Sequence, residues 1–427
     1  MRGILRSAGY VPYRRLQRSQ IREVMGSGGG KGTRSVASFD EDTTTMAVEA
    51  CRNLGPDLDP AWMWFSTAEP AYLDKTNANA IHAALRLGDD VSTMDVGGAI
   101  RSGIGALKAA LESNGTILVV ASDMRTGLPT SADESQGGDA AAAALVGDGD
   151  VIAEYLGGAS ATREFLERWR TPGATRSKTW EDRFGESMYS PLAEQAWNAA
   201  LKDADVADVD VLCVAGMHAR SVARVSKRLG VAQVVDLSQT VGDTGTAQPL
   251  LLLASALENT EAGKVVAVVS LSDGADVLVF RTTRPAEPTR TIDAQVEAAT
   301  EVEYSRFLSW RGMVTPEPPN RPEPARVSAP AAERGIDWKF GFVGDARPLA
   351  EAQGTIVTFT VDRLAYSPSP PIVFAIVDFD GGGRYPLELT DVNSEEVKVG
   401  DRVEMTFRKL STADGIHNYF WKARPTR

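Results

Sequence analysis

The sequence predicts a duplicated α/β sandwich followed by a small all-β barrel. Three observations carry that expectation. Residues 116–122 (TILVVAS), 209–215 and 265–270 (VVAVVS) are largely apolar runs, the pattern of parallel strands buried on both faces. Strand and helix signals in the first half of the chain recur in the same manner in the second. Beyond residue 354 the pattern changes to short alternating runs separated by turn residues.

The elements follow in order. Residues 3–12 read as an opening strand and turn, and residues 28–32 as a Gly-rich loop. Residues 43–54 have helical spacing, with Met46, Val48, Ala50, Cys51 and Leu54 on one side. Residues 62–66 form a short strand, 77–87 a helix, and 91–96 a strand entering a Gly-rich turn. A helix over 103–111, the strand 116–122 and a small-residue strand over 139–146 complete the first half. The second half reads as helices over 189–202, 220–229 and 245–257, with strands over 209–215, 265–270 and 275–280. This places one half at 1–160 and the other at 161–285.

Six prolines between Pro316 and Pro330 make that stretch extended. Residues 286–345 are therefore expected to be a Pro-rich linker, lying along the first domain through Trp310, Trp338 and Phe340. Residues 346–427 hold five runs, at 355–361, 372–378, 384–389, 402–407 and 419–422. Five short strands in so short a stretch suit an OB-fold.

Bulk properties narrow the function. The 427 residues are 43% apolar and 24% charged, enough for a sizeable core. No apolar run approaches the ~18 residues of a membrane span. Arg2, Arg6, Arg14 and Arg15 interrupt the first residues, so no signal-peptide core is expected. Two cysteines, Cys51 and Cys213, leave no disulfide framework or cysteine-pair metal site, and a cytoplasmic location is expected. A net charge of −12 is the wrong sign for nucleic-acid binding. The 12 acidic and 10 basic side chains over 345–427 extend that argument to the barrel.

Six segments in fixed order carry a family resemblance. They are 32–50 (GTRSVASFDEDTTTMAVEA), 95–107 (DVGGAIRSGIGAL), 138–145 (GDAAAAAL), 214–218 (VAGMH), 242–249 (GDTGTAQP) and 272–280 (SDGADVLVF). Together they resemble the thiolase superfamily, in its HMG-CoA synthase and ketoacyl synthase III branch. The segments 338–343 (WKFGFV), 361–371 (VDRLAYSPSPP), 377–383 (VDFDGGG), 403–407 (VEMTF) and 414–420 (DGIHNYF) resemble the OB-fold module that accompanies acyl-CoA thiolases. That module usually has a zinc ribbon, but here 344–353 (GDARPLAEAQ) replaces it without cysteine. No metal is expected.

The resemblance implies a thiolate at the buried start of a helix, where the helix dipole lowers its pKa, and a histidine and an asparagine that handle the donor. Ile100 stands at the nucleophile position. Cys51 and Cys213 read as small core residues. Ser102 lies two residues on, with nothing in the sequence to activate it. His218 matches the family histidine, and Asp243 stands where the family has asparagine. A carboxylate beside His218 would raise its basicity and make a base; the other reading of Asp243 is a turn-capping residue. Glu69 lies near the family's general acid, with Ala68 as the alternative register. His82 and His417 read as structural.

The resemblance implies an acyl-CoA thioester as substrate and C–C bond formation or cleavage of aldol, retro-aldol or Claisen type, in lipid metabolism, without an acyl-enzyme. The alternative is a degenerate scaffold that holds a partner thiolase and channels acyl-CoA through the OB-fold. A homodimer is expected, with the TILVVAS strand pairing across it.

Overall fold

A computed structural model gives the structure of the protein and describes residues 1–174, 176–315, 317 and 349–426. Ten strands form one mixed sheet in two halves of identical plan. In the first, Trp62–Ser66 runs parallel to Ser92–Asp95 and Ile117–Met124, Asp139–Asp148 returns antiparallel, and Arg2–Tyr10 follows antiparallel. In the second, Val211–Gly216 is parallel to Gln233–Val235 and Val265–Leu271, followed by antiparallel Gly274–Thr282 and Ala153–Thr162. The halves meet where Gly3 pairs Glu154. A Cβ at Gly3 would stand 2.1 Å from the Ala153 carbonyl oxygen, so this joint admits no side chain.

Alternate residues of each strand enter different cores, as a period of two requires. Val119 and Ala142 face the middle helices Ser102–Glu112 and Gln248–Asn259, whereas Leu118 and Ala143 face Thr43–Asn53. In the second half, Cys213 and Val268 face the middle layer, and Leu212 and Val269 face Asp182–Asp203. The layers are therefore helix, sheet, helix, sheet, helix. Asp42 starts the helix Thr43–Asn53 by accepting from the amides of Thr44 and Thr45, while Thr45 Oγ1 accepts from the Asp42 amide.

The strands Gly354–Asp362, Ile372–Phe379, Arg384–Leu389, Ile416–Pro425 and Arg402–Ala413 close a barrel. It packs on the outer helix Thr43–Asn53 and shares one apolar core with it. A buried ionic network seals the contact. Arg408 reaches Asp40, Glu41 and Asp391 at 3.4, 2.9 and 2.8 Å. Lys422 reaches Asp40 at 3.0 Å, and Arg424 reaches Glu49 at 2.8 Å. Charges buried this deeply are tolerated because they are paired.

Several expectations are corrected. The TILVVAS strand is paired on both sides, by Trp62–Ser66 and Asp139–Asp148, so it cannot pair across a dimer. The sheet's outermost strands are Ser92–Asp95 and Gln233–Val235. Its apolar run reflects a central position. Residues 286–315 are not simply extended: they hold the helices Ile292–Glu297 and Tyr304–Trp310, and Thr300–Glu301 pairs with Arg14–Gln17. The proline cluster of 318–330, Trp338, Phe340 and residues 344–348 of the ribbon replacement lie outside the described residues. Among the described residues no helix is long and apolar enough to cross a membrane.

Candidate active site

Ile100 lies in the exposed turn between Ser92–Asp95 and the helix Ser102–Glu112. Gly98, at φ 92°, gives that turn a conformation few side chains accept. The Ile100 side chain borders a cavity of about 280 Å³ with Ala68, Arg125, Glu167, Arg168, Tyr189 and Met217. A second cavity of about 330 Å³ shares the lining residues Glu167, Arg168, Ser177 and Met217 with it and reaches His218. Gln136 and Ala219 also line a third cavity of about 820 Å³, bordered by Arg18, Lys31, Lys227 and Asp243.

His218 ends the strand Val211–Gly216 and caps the next helix, Ala219–Leu229. Its Nδ1 accepts from the Ser221 amide at 3.1 Å and lies 2.8 Å from Ser221 Oγ. An amide N–H only donates, so Nδ1 carries no proton and the neutral ring carries it on Nε2. Nε2 is buried and has no partner among the described residues. It faces Gly185 of the helix Asp182–Asp203: a Cβ built there would meet His218 Nε2 at 2.8 Å and Glu167 Cγ at 2.9 Å. The imidazole and the Glu167 side chain thus converge on one point.

Glu167 is 4% exposed and accepts from the Tyr189 hydroxyl at 3.3 Å. Burial pushes its pKa up, with Arg168, His218 and Tyr189 pulling the other way. Its main chain is fixed by the Trp180 amide, which donates to the Glu167 carbonyl at 2.7 Å, beside the small sheet of Arg168–Trp169 and Lys178–Thr179. Arg168 makes a two-pronged pair with Asp133 at 2.8 and 2.9 Å.

The expected pairing of His218 with Asp243 does not form. The Asp243 main chain is tied to the loop at 136–138, its amide donating to the Gln136 carbonyl at 2.8 Å. That tether turns it into the cavity of about 820 Å³, toward Arg18. Burial pushes its carboxyl up to about 7, against the pull of Arg18 and Arg168. Glu69 is ion-paired with Arg170, and Ala68 rather than Glu69 borders the cleft. Ser102 Oγ accepts from the Ala99 amide at 3.4 Å and does not border the cleft. Burial pushes the Cys51 and Cys213 thiols up, so neither supplies a thiolate at neutral pH. His82 bonds the Gly88 carbonyl at 3.0 Å. At the tip of the barrel's long hairpin, the His417 amide donates to the Tyr72 hydroxyl at 2.8 Å.

Comparison with known proteins adds the family. Residues 346–408 match the model of the ChsH2 C-terminal OB-fold domain. The chain is 26% identical over 338 residues to the hydroxymethylglutaryl-CoA synthase of Methanopyrus kandleri, covering 72% of this chain and 97% of that one. It is 25% identical over 333 residues to the same enzyme of Methanocaldococcus jannaschii, covering 73% and 96%. An HMG-CoA synthase crystallised with CoA shares the fold at a TM-score of 0.61 and 18% identity, over 72% of this chain and 89% of that one. The 3-oxoacyl-[acyl-carrier-protein] synthase III of Aquifex aeolicus does so at 0.56 and 15%, over 66% and 100%. The chain is thus similar to HMG-CoA synthases in sequence, has a thiolase-like fold, and carries a C-terminal domain that matches an OB-fold.

Ile100 occupies the turn that the sequence resemblance singled out. Sequence reasoning found that turn and His218. It missed Glu167, Tyr189 and Gly185, which lie in or beside an irregular stretch with no periodicity to flag them. The one available signal was a carboxylate set among Phe165, Arg168, Trp169 and Arg170.

Proposed function

We propose that this protein binds an acyl-CoA thioester and acts on a C–C bond of its acyl group by non-covalent acid–base chemistry. The observation that carries the reading is that Ile100, at the nucleophile position, and a buried His218 Nε2 with no partner among the described residues border two cavities that share lining residues. Ile100 offers an apolar surface for the acyl group and no route to an acyl-enzyme. His218 offers an N–H to the thioester oxygen, where charge develops as an enolate forms. Arg18 is 5% exposed, its guanidinium donates to the Lys31 and Ser238 carbonyls, and its Nε has no partner among the described residues. With Lys31 and Lys227 around the same cavity, it suits the phosphates of CoA. The test is calorimetric titration with acetyl-CoA. Saturable binding that weakens in Lys31→Ala and Lys227→Ala supports the reading, and no binding overturns it.

A second reading is a catalytically silent subunit that docks a thiolase and passes acyl-CoA along its barrel. It is favoured by Ile100 itself and by the exposed Leu364, Tyr366 and Phe374 of the barrel. Turnover by the purified chain alone would exclude it.

A further inference from the structure

Four carboxylates border the two cavities at Ile100 and His218: Asp133, Glu167, Asp182 and Asp273. Asp133 is held by Arg168, and Asp182 pairs with Arg220 at 3.3 Å. Asp273 is exposed. Glu167 is buried and makes no ion pair among the described residues; its one side-chain hydrogen bond is the long one from Tyr189. Its side chain and His218 Nε2 crowd the same point of Gly185. His218 itself cannot serve as the base while its Nδ1 accepts from the Ser221 amide, because the proton then sits on Nε2.

We propose that Glu167 is the catalytic acid–base group of this cleft, taking a proton from the α-carbon of a bound acyl thioester and returning it. This rests on the reading of the cleft as an acyl-CoA site. In the forward step the α-C–H bond breaks and its proton goes to a Glu167 carboxylate oxygen. The bonding pair becomes the C=C of the enolate, and the negative charge moves to the thioester oxygen. His218 Nε2–H holds that oxygen. In the reverse step the carboxylic acid returns the proton to carbon. The burial that raises the Glu167 pKa brings it nearer to neutrality, where a general base is most effective. The division of labour differs from the one read in the sequence: the base comes from the segment before the helix Asp182–Asp203, and Glu69 has no part in it.

The experiment is exchange of the acetyl-CoA methyl protons with deuterium oxide, followed by NMR on the full chain, with binding measured in parallel. Wild type should exchange. Glu167→Gln should bind acetyl-CoA with unchanged affinity and exchange about a hundredfold more slowly or less. Glu167→Asp, which keeps the carboxylate but withdraws it, should fall between. Glu69→Gln should match wild type. Exchange by Glu167→Gln at the wild-type rate, or binding by wild type without exchange, overturns the assignment of Glu167 and leaves the acyl-CoA reading standing. Absence of binding by wild type overturns both.

Discussion

At the barrel junction Arg408, Lys422 and Arg424 are buried, and each meets a carboxylate within 3 Å. In the cleft His218, Arg168 and Arg176 are buried or half-buried, and each keeps a nitrogen with no partner among the described residues. Both regions remove polar groups from water at a cost of several kcal/mol per unpaired charge. The junction recovers that cost with its own side chains. The cleft does so only in part: Arg168 is paired with Asp133, but no described side chain meets His218 Nε2. The junction's charges are matched to one another, whereas the cleft keeps an N–H that no described side chain takes up.

The largest expected effect tests the junction half of that comparison. Arg408→Met strands Asp40, Glu41 and Asp391 without their shared cation, and should cost about 3–5 kcal/mol in urea unfolding. A loss under about 1 kcal/mol would mean the network contributes little to holding the barrel. In the cleft the signature should be reversed. His218→Asn keeps a residue that caps the helix Ala219–Leu229 well but removes the N–H aimed at the cavity. Thermal stability should stay near wild type while acetyl-CoA proton exchange falls about a hundredfold. Equal exchange in the variant would make His218 a cap and nothing more.

The pH dependence sharpens the contrast further. Burial pushes Glu41 from its usual 4.5 up to about 7, and Arg408 opposes that only in part. The folded chain thus holds this proton more tightly than the unfolded chain does. Glu41 contributes stability that is fully present below its unfolded pKa and is lost as pH rises through about 7. Burial also pushes Asp243 and Glu258 to about 7, with the same sign. Burial would raise Glu49 too, but Arg424 and Arg52 bring it down to about 2, so its contribution is lost only in acid. Unfolding midpoints should therefore decline from about pH 5 to about pH 8, at no more than about 1.4 kcal/mol per unit for each group. Glu41→Gln should flatten the decline, and an unchanged slope would remove Glu41 from the account. The smallest effect is expected at Asp243. Because it faces Arg18 and not His218, Asp243→Asn should change proton exchange by less than about tenfold; a hundredfold loss would reinstate it as part of the machinery.

Much of the fold was legible because parallel strands buried on both faces leave continuous apolar runs, and because six motifs stand in a fixed order. The strand Ala153–Thr162 was missed: Gly157 and Gly158 interrupt a run whose burial is mixed. The helix Asp182–Asp203 begins earlier than its apolar spacing suggests, since its first turns carry Arg183, Gly185 and Glu186. The barrel's last two strands run on to Ala413 and from Ile416 as a polar hairpin that alternation could not reveal. In the site, local sequence located Ile100 and His218 because each sits in a motif. It misjudged Asp243, because the bond that aims it comes from the distant loop at Gln136. It passed over Glu167, whose meaning arises only from the helix laid across it at Gly185.

Native mass spectrometry of the full chain with acetyl-CoA, repeated after denaturation, tests the central claim most directly. The account predicts a complex one acetyl-CoA heavier under native conditions and an unmodified chain once denatured, because Ile100 cannot form an acyl-enzyme. A chain that stays about 42 Da heavier after denaturation, the mark of covalent acetyl transfer, or a chain that never binds the thioester, would contradict it.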